Sequence, residues 1–384
     1  MQRISFSERP DWRQQAEALG FAFHTFDGEP YWDETAAYRF SLRQIEDDID
    51  APTAELHELC LALVDLIVER EELLERLHIP RFFWEHLRIS WRRREPSLYG
   101  RMDFCYSGQG PAKLFELNYD TPTSLYEAAF FQWLWLEQQR ERGALPPAAD
   151  QYNLIQERLI ETLAELGVPQ PLYLAAVRDS LEDRGTVDYL RDCAVQAGLD
   201  ARFIAVEDIG LERSGTFVDL DGHSIFSLFK LYPWEQLLED PFGAAIPASG
   251  TRFVEPPWKA LLSNKGILAL LWEQHPGHPN LLPTYFDARP SAHLAPGWVR
   301  KPLFSREGAN VSLHAADGRR AAVPGPYGGA TIRQACQPLP CFDGHYPVLG
   351  SWVVGDRACG LGIREDRSLI TQDSSRFLPH FILD

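Results

Sequence analysis

The sequence RMDFCYSGQGPAKLFELN, residues 101–118, has the residue types and the spacing of a site for a hard metal ion. Polar and apolar residues alternate over 101–106 and again over 113–118, and the Ser-Gly-Gln-Gly-Pro between them is typical of a turn, so we predict a β-hairpin. Pairing the arms puts Asp103 opposite Glu116. Period-2 alternation then assigns four polar side chains to one face, namely Arg101, Asp103, Glu116 and Asn118. The same alternation points four apolar side chains toward a core, namely Met102, Phe104, Phe115 and Leu117.

The paired carboxylates on this hairpin need a counter-charge. Two acids directly opposite each other on a sheet repel, and a bound cation would remove that repulsion. Two carboxylates and an amide oxygen with an open side suit Mg²⁺ that also holds substrate phosphates. We therefore predict a metal site formed by Asp103, Glu116 and Asn118. The alternative is a surface hairpin in which Arg101 and the acids neutralise one another.

A second stretch, WVRKPLFSREGANV at residues 298–311, has the features of a phosphate-binding region. Its strand would deliver Lys301, a flexible point charge. Arg306, Gly308 and Asn310 in the following loop could cover phosphates, since glycine lets backbone N–H groups approach an anion. The alternative is a solvated loop after a strand, because neither the Walker spacing nor GxGxxG occurs in the chain.

Isolated basic residues elsewhere could complete such a site. Lys259 and Lys265 lie near the start of a predicted helix, and Arg364 follows a predicted strand in the sequence LGIRED. Each of them alone is typical of a charged surface. The chain has no GxSxG sequence and no evident Cys/His pair, which argues against nucleophilic catalysis. Acids for Mg²⁺, lysines for phosphates and an arginine for developing charge favour phosphoryl transfer.

The composition excludes several partners. The 384 residues are 45% hydrophobic and 24% charged, which predicts a globular protein with two or three subdomains. A net charge of −18 argues against nucleic acid, since phosphate binding requires a basic surface. The N-terminus lacks the apolar segment of a signal peptide, and no apolar run has membrane-spanning length. With six scattered cysteines that we expect to be reduced, we predict a cytoplasmic protein without membrane association.

The elements that must position these residues follow from periodicity and turn signals. We predict helices over 53–77, 123–140, 152–166 and 258–272. A strand–helix–strand pattern within 151–206 predicts a small parallel sheet, and Asp221-Gly222 between 217–219 and 225–231 predicts a hairpin. Further strands are predicted at 298–304, 310–314, 330–335 and 347–363, the last of them bent at Gly355-Asp356. The fold class is α/β plus α+β.

Four sequence blocks in this order resemble a known family. They are RMDF…FELNYDTPTSLYE, WKALLSNKGIL, WVRKPLFSREGANV and LGIRED…SRFLPHFI. Together they are similar to the synthetase domain of bacterial glutathionylspermidine synthase and its stand-alone relatives, over nearly the whole chain. The resemblance implies an ATP-grasp carboxylate–amine ligase with a pre-ATP-grasp α/β domain, permuted as in eukaryotic glutathione synthetase. It implies an N-terminal part with the metal hairpin at 1–150, a substrate domain at 151–240 and a nucleotide-binding part with a lid at 241–384.

The resemblance also implies roles for individual residues. Asp103, Glu116 and Asn118 would bind Mg²⁺, and Arg101 would contact the acyl substrate and phosphate. Further acyl-substrate contacts would be Thr121, Thr123 and Ser124. Lys265 and Lys301 would bind the phosphates of ATP. The strand from Gln334 to Gln337 would face adenine, and Leu369, Ile370 and Thr371 would close the nucleotide pocket. Arg364 would lie on a mobile loop and stabilise the transferring phosphoryl group.

Three departures from the family pattern leave the substrates open. Ser124 stands where the family has a cysteine near the glutathione thiol. Arg376 lies near the place of an acid that contacts spermidine. We also expect no N-terminal amidase. Amide formation through an acyl phosphate is the expected function, with small acid and amine substrates. The alternatives are an ATP-binding protein without ligase turnover and an ATP-grasp ligase or kinase for an unrelated acid.

Overall fold

The computed structural model describes residues 1–26 and 28–384, and its architecture is mixed α/β. The α-helices in chain order are α1 (Trp12–Ala18), α2 (Leu42–Ile45), α3 (Ala51–Val68), α4 (Glu71–Arg76), α5 (Trp84–Arg92), α6 (Gln132–Glu141), α7 (Ile155–Glu165), α8 (Leu181–Gln196), α9 (Trp234–Glu239) and α10 (Gly266–Gln274). π-Helical segments cover Glu46–Asp50 and Glu127–Phe131. Short 3₁₀ segments cover Arg81–Phe83, Val206–Asp208, Gly243–Ala248 and Pro257–Leu261.

The strands in chain order are β1 (Gln2–Ser5), β2 (Thr25–Phe26), β3 (Glu29–Pro30), β4 (Ala36–Phe40), β5 (Tyr99–Cys105), β6 (Lys113–Asn118), β7 (Leu172–Ala176), β8 (Ala201–Ala205), β9 (Gly210–Leu211), β10 (Phe217–Val218), β11 (Ser227–Lys230), β12 (Arg252–Val254), β13 (Thr284–Phe286), β14 (Trp298–Pro302), β15 (Ser312–His314), β16 (Arg320–Ala322), β17 (Thr331–Ala335), β18 (Tyr346–Val354), β19 (Arg357–Asp366), β20 (Arg376–Leu378) and β21 (His380–Ile382). The small sheets are β1-β4-β21, β9-β10 and β2-β3.

Distant parts of the chain form the sheet that carries the β5–β6 hairpin. Its strand order is β20-β19-β18-β5-β6, and neighbouring strands are antiparallel. The predicted hairpin is confirmed in both arms and in register, with Asp103 opposite Glu116 and Arg101 opposite Asn118. The hairpin from the first third of the chain therefore extends a sheet built from its last forty or so residues.

A β-bulge in this hairpin changes the facing of one residue. The register shifts after Asp103, so that Phe104 pairs with Leu114. The prediction that Phe115 points to the core is therefore wrong, because the extra residue of a bulge interrupts the alternation. Leu114 is buried in the core, whereas Phe115 is half-buried and lines the cavity described below.

The predicted bent strand at 347–363 is two strands. β18 and β19 form a hairpin that turns at Gly355-Asp356, where both residues have positive φ. β18 lies in the sheet interior, paired with β19 on one side and β5 on the other. Arg364 lies in β19, opposite Val348 and Phe377, so the prediction that it sits on a loop is wrong. Hydrogen bonding on both sides fixes its backbone.

A second antiparallel sheet has the order β13-β17-β14-β15-β16. The strands predicted at 298–304, 310–314 and 330–335 are confirmed as β14, β15 and β17, with shorter bounds. In this sheet Val299 lies opposite Gln334 and Lys301 lies opposite Ile332. The strand with the candidate phosphate lysine thus pairs with the strand predicted to face adenine.

The middle of the chain forms a parallel sheet of order β12-β11-β7-β8. The strand–helix–strand prediction is confirmed by β7, α8 and β8. The chain does reverse at Asp221-Gly222, with one antiparallel bridge between Val218 and Ser224. However, the second arm of that predicted hairpin, β11, pairs in parallel with β7 and β12, because a buried apolar strand gains more in a sheet covered on both faces.

Two predicted helices are divided. The helix predicted over 53–77 consists of α3 and α4, which are separated at Glu69-Arg70. The helix predicted over 258–272 consists of the 3₁₀ segment Pro257–Leu261 and α10, and Lys265 precedes the first residue of α10. The helices predicted over 123–140 and 152–166 begin later than expected, at the π-helical segment Glu127–Phe131 and at Ile155.

The apolar side chains form two large clusters. One surrounds α3, α10 and the core-facing side of the β5–β6 hairpin, and the other surrounds α6, α7 and α8. A small third cluster consists of Val299, Val311 and Ile370. Within the described residues, no helix is long and apolar enough to cross a membrane.

Candidate active site

A cavity of about 410 Å³ lies where the hairpin sheet, the β14–β17 sheet and the parallel sheet meet. Most of the side chains predicted from the sequence line it, namely Arg101, Asp103, Glu116, Asn118, Thr121, Thr123, Ser124, Lys301, Arg306, Gly308, Gln334, Gln337, Arg364, Leu369, Ile370 and Thr371. Lys265 and Asn310 are predicted site residues that do not line it. Residues that are far apart in the chain therefore share one chamber, of a size typical for a small-molecule site.

The predicted metal ligands lie on one face of the hairpin, with Arg101 beside them. Arg101 binds Asp103 through two contacts, Nε to Oδ1 at 2.6 Å and Nη2 to Oδ2 at 3.0 Å. The Asn118 side-chain amide donates to Asp103 Oδ2 at 2.9 Å. The guanidinium is thus the counter-charge in this arrangement. Two carboxylates and an amide oxygen remain a suitable donor set for Mg²⁺ once Arg101 releases Asp103 and the Asn118 amide turns.

The path of the Arg101 side chain depends on the absence of a side chain at Gly350. Its Nη1 donates to the carbonyl oxygen of Thr123 at 2.7 Å, and its guanidinium lies 5.7 Å from the centre of the Trp352 ring. A Cβ atom at Gly350 would lie 2.7 Å from Cδ of Arg101. The missing side chain of Gly350 therefore lets Arg101 cross the sheet surface toward the segment 121–124.

Two lysines surround the second carboxylate of the hairpin. Lys265 Nζ lies 3.5 Å from Glu116 Oε2 and donates to the Ser305 carbonyl at 2.5 Å. Lys301 Nζ donates to the Phe115 carbonyl at 2.8 Å. Burial would raise the pKa of Glu116, but the positive charges of Lys265, Lys301 and Arg101 outweigh it and lower that pKa to about 2. The carboxylate is therefore ionised at neutral pH, as a metal ligand must be.

Lys259 has a structural position, unlike Lys265. It is buried, donates to the Tyr99 carbonyl at 2.9 Å and pairs with Glu255 at 3.3 Å. Lys265 lies behind Glu116, so it acts on the cavity through that carboxylate. The sequence could not separate these two lysines, because both stand near the start of the same predicted helix.

The loop after β14 is fixed by side-chain contacts. Arg306 donates to Thr121 Oγ1 at 2.6 Å and to Glu235 at 2.9 Å, while its buried Nε has no partner in the part of the chain that the structure describes. Gly308 has φ of +70°, and a Cβ atom there would lie 2.5 Å from the Thr371 carbonyl oxygen. Asn310 accepts a hydrogen bond from the Tyr327 backbone at 2.8 Å, so it braces the loop from outside.

One wall of the cavity is apolar, in contrast to the charged side chains described above. It combines the cluster of Val299, Val311 and Ile370 with the chain from Gln334 to Gln337. Gln334 is buried and donates weakly to the Leu114 carbonyl at 3.4 Å. A planar aromatic base could stack on such a wall while polar atoms of the adjacent chain contact its edge.

Arg364 reaches the cavity from the middle of β19. It donates through Nε to the Ser375 carbonyl at 3.0 Å and through Nη2 to the Gln372 and Asp373 carbonyls at 3.1 and 2.6 Å. Its Nη1 donates to Ser124 Oγ at 3.1 Å. No carboxylate among the described residues lies within 4 Å of this guanidinium. Its positive charge is therefore available to a ligand.

The segment 121–124 is anchored to the parallel sheet by the preceding residue. Asp120 is fully buried, pairs with Lys230 at 2.5 Å and accepts from the Trp234 backbone at 2.7 Å. Immediately after this anchor, Thr121, Thr123 and Ser124 line the cavity. Ser124 has φ of +64°, an uncommon conformation for a residue other than glycine.

Acidic residues at one end of the cavity were missed by the sequence reasoning. Asp183 and Asp373 line this end, Glu127 is buried near it, and Glu182 is half-buried there. Burial raises the pKa of Glu182 to about 8, and the nearby charge of Glu127 adds to that effect. Tyr31 belongs to the same group through its contact with Ser124. The available signal was the lone acid Glu127 within the apolar sequence LYEAAFFQWLW.

Lys301 gives the site a pH dependence that can be measured. Burial lowers the pKa of Lys301 to about 8. The positive charge of Lys265 also lowers this pKa, whereas the negative charge of Glu116 raises it. Below that pH Lys301 carries a positive charge, and above it the charge is lost. We expect the Kd for ATP to rise about tenfold between pH 7 and pH 9.5, which is roughly the strength of one charged hydrogen bond. Isothermal titration calorimetry at each pH measures it.

The matched variant for this prediction is Lys301→Met. It should bind ATP weakly throughout and lose most of the pH dependence. If Lys301→Met shows the same rise in Kd as the original chain, another group is responsible for the titration.

Comparisons with known proteins are consistent with this geometry. The family model described as "Glutathionylspermidine synthase preATP-grasp" matches residues 3–383. A Haemophilus influenzae protein named "Putative acid--amine ligase" is 43% identical over 400 residues, covering 100% of both chains. Trypanothione synthetase of Crithidia fasciculata is 29% identical over 355 residues, which are 84% of this chain and 53% of that protein.

Two more similarities complete the comparison. The bifunctional glutathionylspermidine synthetase/amidase of Escherichia coli is 25% identical over 408 residues, which are 97% of this chain and 63% of that protein. The chain thus spans less than two thirds of this relative and of the trypanothione synthetase. A glutathione synthetase-like effector from Globodera pallida superposes with a TM-score of 0.55 at 14% identity, covering 98% of both chains. This last likeness shows a shared fold.

Proposed function

Because the chain belongs to the glutathionylspermidine synthase family, we propose that it is an ATP- and Mg²⁺-dependent ligase that joins a carboxylic acid to an amine. The observation that carries the proposal is the convergence of an oxygen triad, Lys301 and Arg364 on one cavity, with Lys265 behind Glu116. These are the parts that phosphoryl transfer to a carboxylate requires.

In the proposed site, Asp103, Glu116 and Asn118 hold Mg²⁺, and Lys265 and Lys301 serve the phosphates of ATP. A bound Mg²⁺ would offset the negative charge that develops on the phosphate oxygens. Arg306 and Gly308 cover the phosphates, while Asn310 braces their loop. The apolar wall from Gln334 to Gln337, together with Leu369–Thr371, takes the adenine base. The hairpin's position beside β18 is consistent with an ATP-grasp fold permuted as in eukaryotic glutathione synthetase.

The proposed reaction has two steps. The substrate carboxylate attacks the γ-phosphorus of ATP, ADP leaves, and an acyl phosphate forms. The amine then attacks the acyl carbon, the C–O bond to phosphate breaks, and the amide forms. Arg101 orients the acyl group after it releases Asp103, and Arg364 offsets charge on the phosphoryl oxygens. The segment around Leu369–Thr371 excludes water, which would otherwise hydrolyse the acyl phosphate.

We infer the substrate class from the wall of the cavity and the names of the relatives. Thr121, Thr123 and Ser124 offer hydroxyls and carbonyls to a peptide or amino-acid carboxylate. Asp183 and Asp373 favour a cationic amine at the same end of the cavity. Glutathione with spermidine is therefore one pair to test. Arg376 stands near the place of the family's spermidine-contacting acid, pairs with Asp33 at 2.8 Å and does not line the cavity, so the missing acid argues for a different amine.

A coupled ADP-release screen tests the proposal. Candidate carboxylates are combined with candidate amines in the presence of ATP and Mg²⁺, and mass spectrometry identifies the condensed product. We expect ADP release to require both an acid and an amine and to match amide formation. ADP release with the acid alone, giving a stable phosphorylated product, would indicate a kinase. Tight ATP binding with no ADP release from any pair would indicate a nucleotide-binding protein without turnover.

A further inference from the structure

Glu127 is a buried acid. Its side chain is 0% exposed, and among the described residues neither carboxylate oxygen has a hydrogen-bond partner. It is the first residue of the π-helical segment Glu127–Phe131. A glutamine or leucine would fill this space at lower cost, because an unpaired buried carboxylate is expensive. A buried group kept at such a cost is a candidate for function.

A hydrogen-bonded pair leads from the cavity toward this acid. Ser124 lines the cavity, and its Oγ lies 2.9 Å from the Tyr31 hydroxyl. Tyr31 is 1% exposed, and burial raises its pKa well above the ordinary value, so the phenol stays protonated. The Tyr31 hydroxyl faces Glu127 and lowers the pKa of that acid. Its oxygen nevertheless lies outside hydrogen-bonding geometry with the carboxylate. Ser124 and Tyr31 can each donate one proton and accept another.

The charged surroundings of Glu127 are mixed. Tyr31, Tyr126 and Glu182 face it together with the guanidinium groups of Arg364 and Arg101. Burial raises the pKa of Glu127, and Tyr31 and the two arginines oppose this effect. Arg364 also lies 5.0 Å from the Tyr31 ring and donates to Ser124, so the guanidinium, the hydroxyls and the acid form one group.

We propose that Ser124 and Tyr31 relay to Glu127 the proton that the attacking amine must lose. This inference rests on the proposed ligase function. An alkylamine is protonated near neutral pH and cannot attack an acyl carbon in that form. One ammonium proton first passes to Ser124 Oγ, the Ser124 proton passes to the Tyr31 oxygen, and the Tyr31 proton passes to Glu127, which frees the nitrogen lone pair. The lone pair then forms the C–N bond, the acyl C–O bond breaks with its electron pair on the departing phosphate, and that phosphate takes the second N–H proton, so charge and protons balance.

The test compares two nucleophiles in Glu127→Gln and Tyr31→Phe. The acid is the one found by the ADP-release screen, and the nucleophiles are its amine partner and hydroxylamine, which is largely neutral at pH 7.5. For both variants we expect amide formation to slow about 10²-fold, the ordinary scale of acid–base catalysis. Hydroxamate formation should stay within about twofold, because a neutral nucleophile attacks without prior loss of a proton. Tyr126→Phe, which removes a hydroxyl bonded to the Leu19 carbonyl, is the matched control and should leave both rates unchanged.

Each other outcome overturns the relay. Equal losses with both nucleophiles would mean that Glu127 serves folding or acyl-phosphate formation. Unchanged rates with both would mean that it takes no part. If amide formation slows in Glu127→Gln but keeps its original rate in Tyr31→Phe, Tyr31 takes no part in the proton transfer. If the original chain forms neither hydroxamate nor ADP with any acid, the proposed ligase function itself fails, and the relay fails with it.

Discussion

Asp103→Asn is expected to lower the rate of ADP release about 10²-fold at a Mg²⁺ concentration that saturates the original chain. The substitution keeps the size of the side chain and removes one of the two carboxylates on the hairpin face. It also removes the partner of the Arg101 guanidinium, which now holds both oxygens of Asp103. This factor corresponds to losing about 3 kcal/mol of the stabilisation that a bound metal ion gives to the charged transition state.

The measurement is ADP release as a function of Mg²⁺ concentration, supported by Mn²⁺ binding followed by electron paramagnetic resonance. The Mg²⁺ concentration for half-maximal rate should rise in Asp103→Asn. The matched control is Asp221→Asn, because Asp221 is exposed beside Asp219 and His223 and does not line the cavity. It should behave like the original chain. An unchanged Mg²⁺ dependence in Asp103→Asn would show that the metal is held elsewhere.

Arg364→Ala is expected to show near-normal ATP binding with a rate about 10³-fold lower. Arg364 contacts Ser124 and the loop carbonyls of Gln372, Asp373 and Ser375, and it has no acidic partner within 4 Å among the described side chains. Its charge is therefore free to act on the transferring phosphoryl group, and an arginine in that role contributes at least about 10³-fold.

Two variants separate charge from positioning at this residue. Arg364→Lys keeps the positive charge but cannot donate to all of these oxygens, so we expect a rate between those of Arg364→Ala and the original chain. Arg357→Ala, at the exposed start of the same strand, is the control and should leave the rate unchanged. Calorimetry with ATP and single-turnover ADP release separate binding from chemistry. Lost ATP binding with an unchanged single-turnover rate would contradict the catalytic role.

The β5–β6 hairpin is the part of this protein that its sequence determined most fully. Alternation with a period of two and a turn rich in glycine are local signals, and they set the register of Asp103 against Glu116 before any other element is considered. The β7–α8–β8 unit was predictable for the same reason. The order of the four sequence blocks likewise indicated the family.

Local signals failed where a distant partner decided the outcome. The bulge at Asp103 turned Phe115 toward the cavity, and pairing with β20 placed Arg364 in a strand instead of a loop. The second arm of the predicted hairpin near Asp221 joined the parallel sheet, since apolar strands gain more from burial than from a local turn. Periodicity within a segment carries no information about such partners.

The sequence by itself thus determined which residues could bind a metal, phosphates and a base, because the residue types and their spacing are local patterns within short segments. The tertiary structure alone decided which of them meet. It set Arg101 against Asp103, placed Lys265 behind Glu116 while Lys259 joined the core, and buried Glu127 beside Tyr31. The physical reason is that charge pairing and burial depend on contacts between segments up to hundreds of residues apart, which only the packed chain brings together.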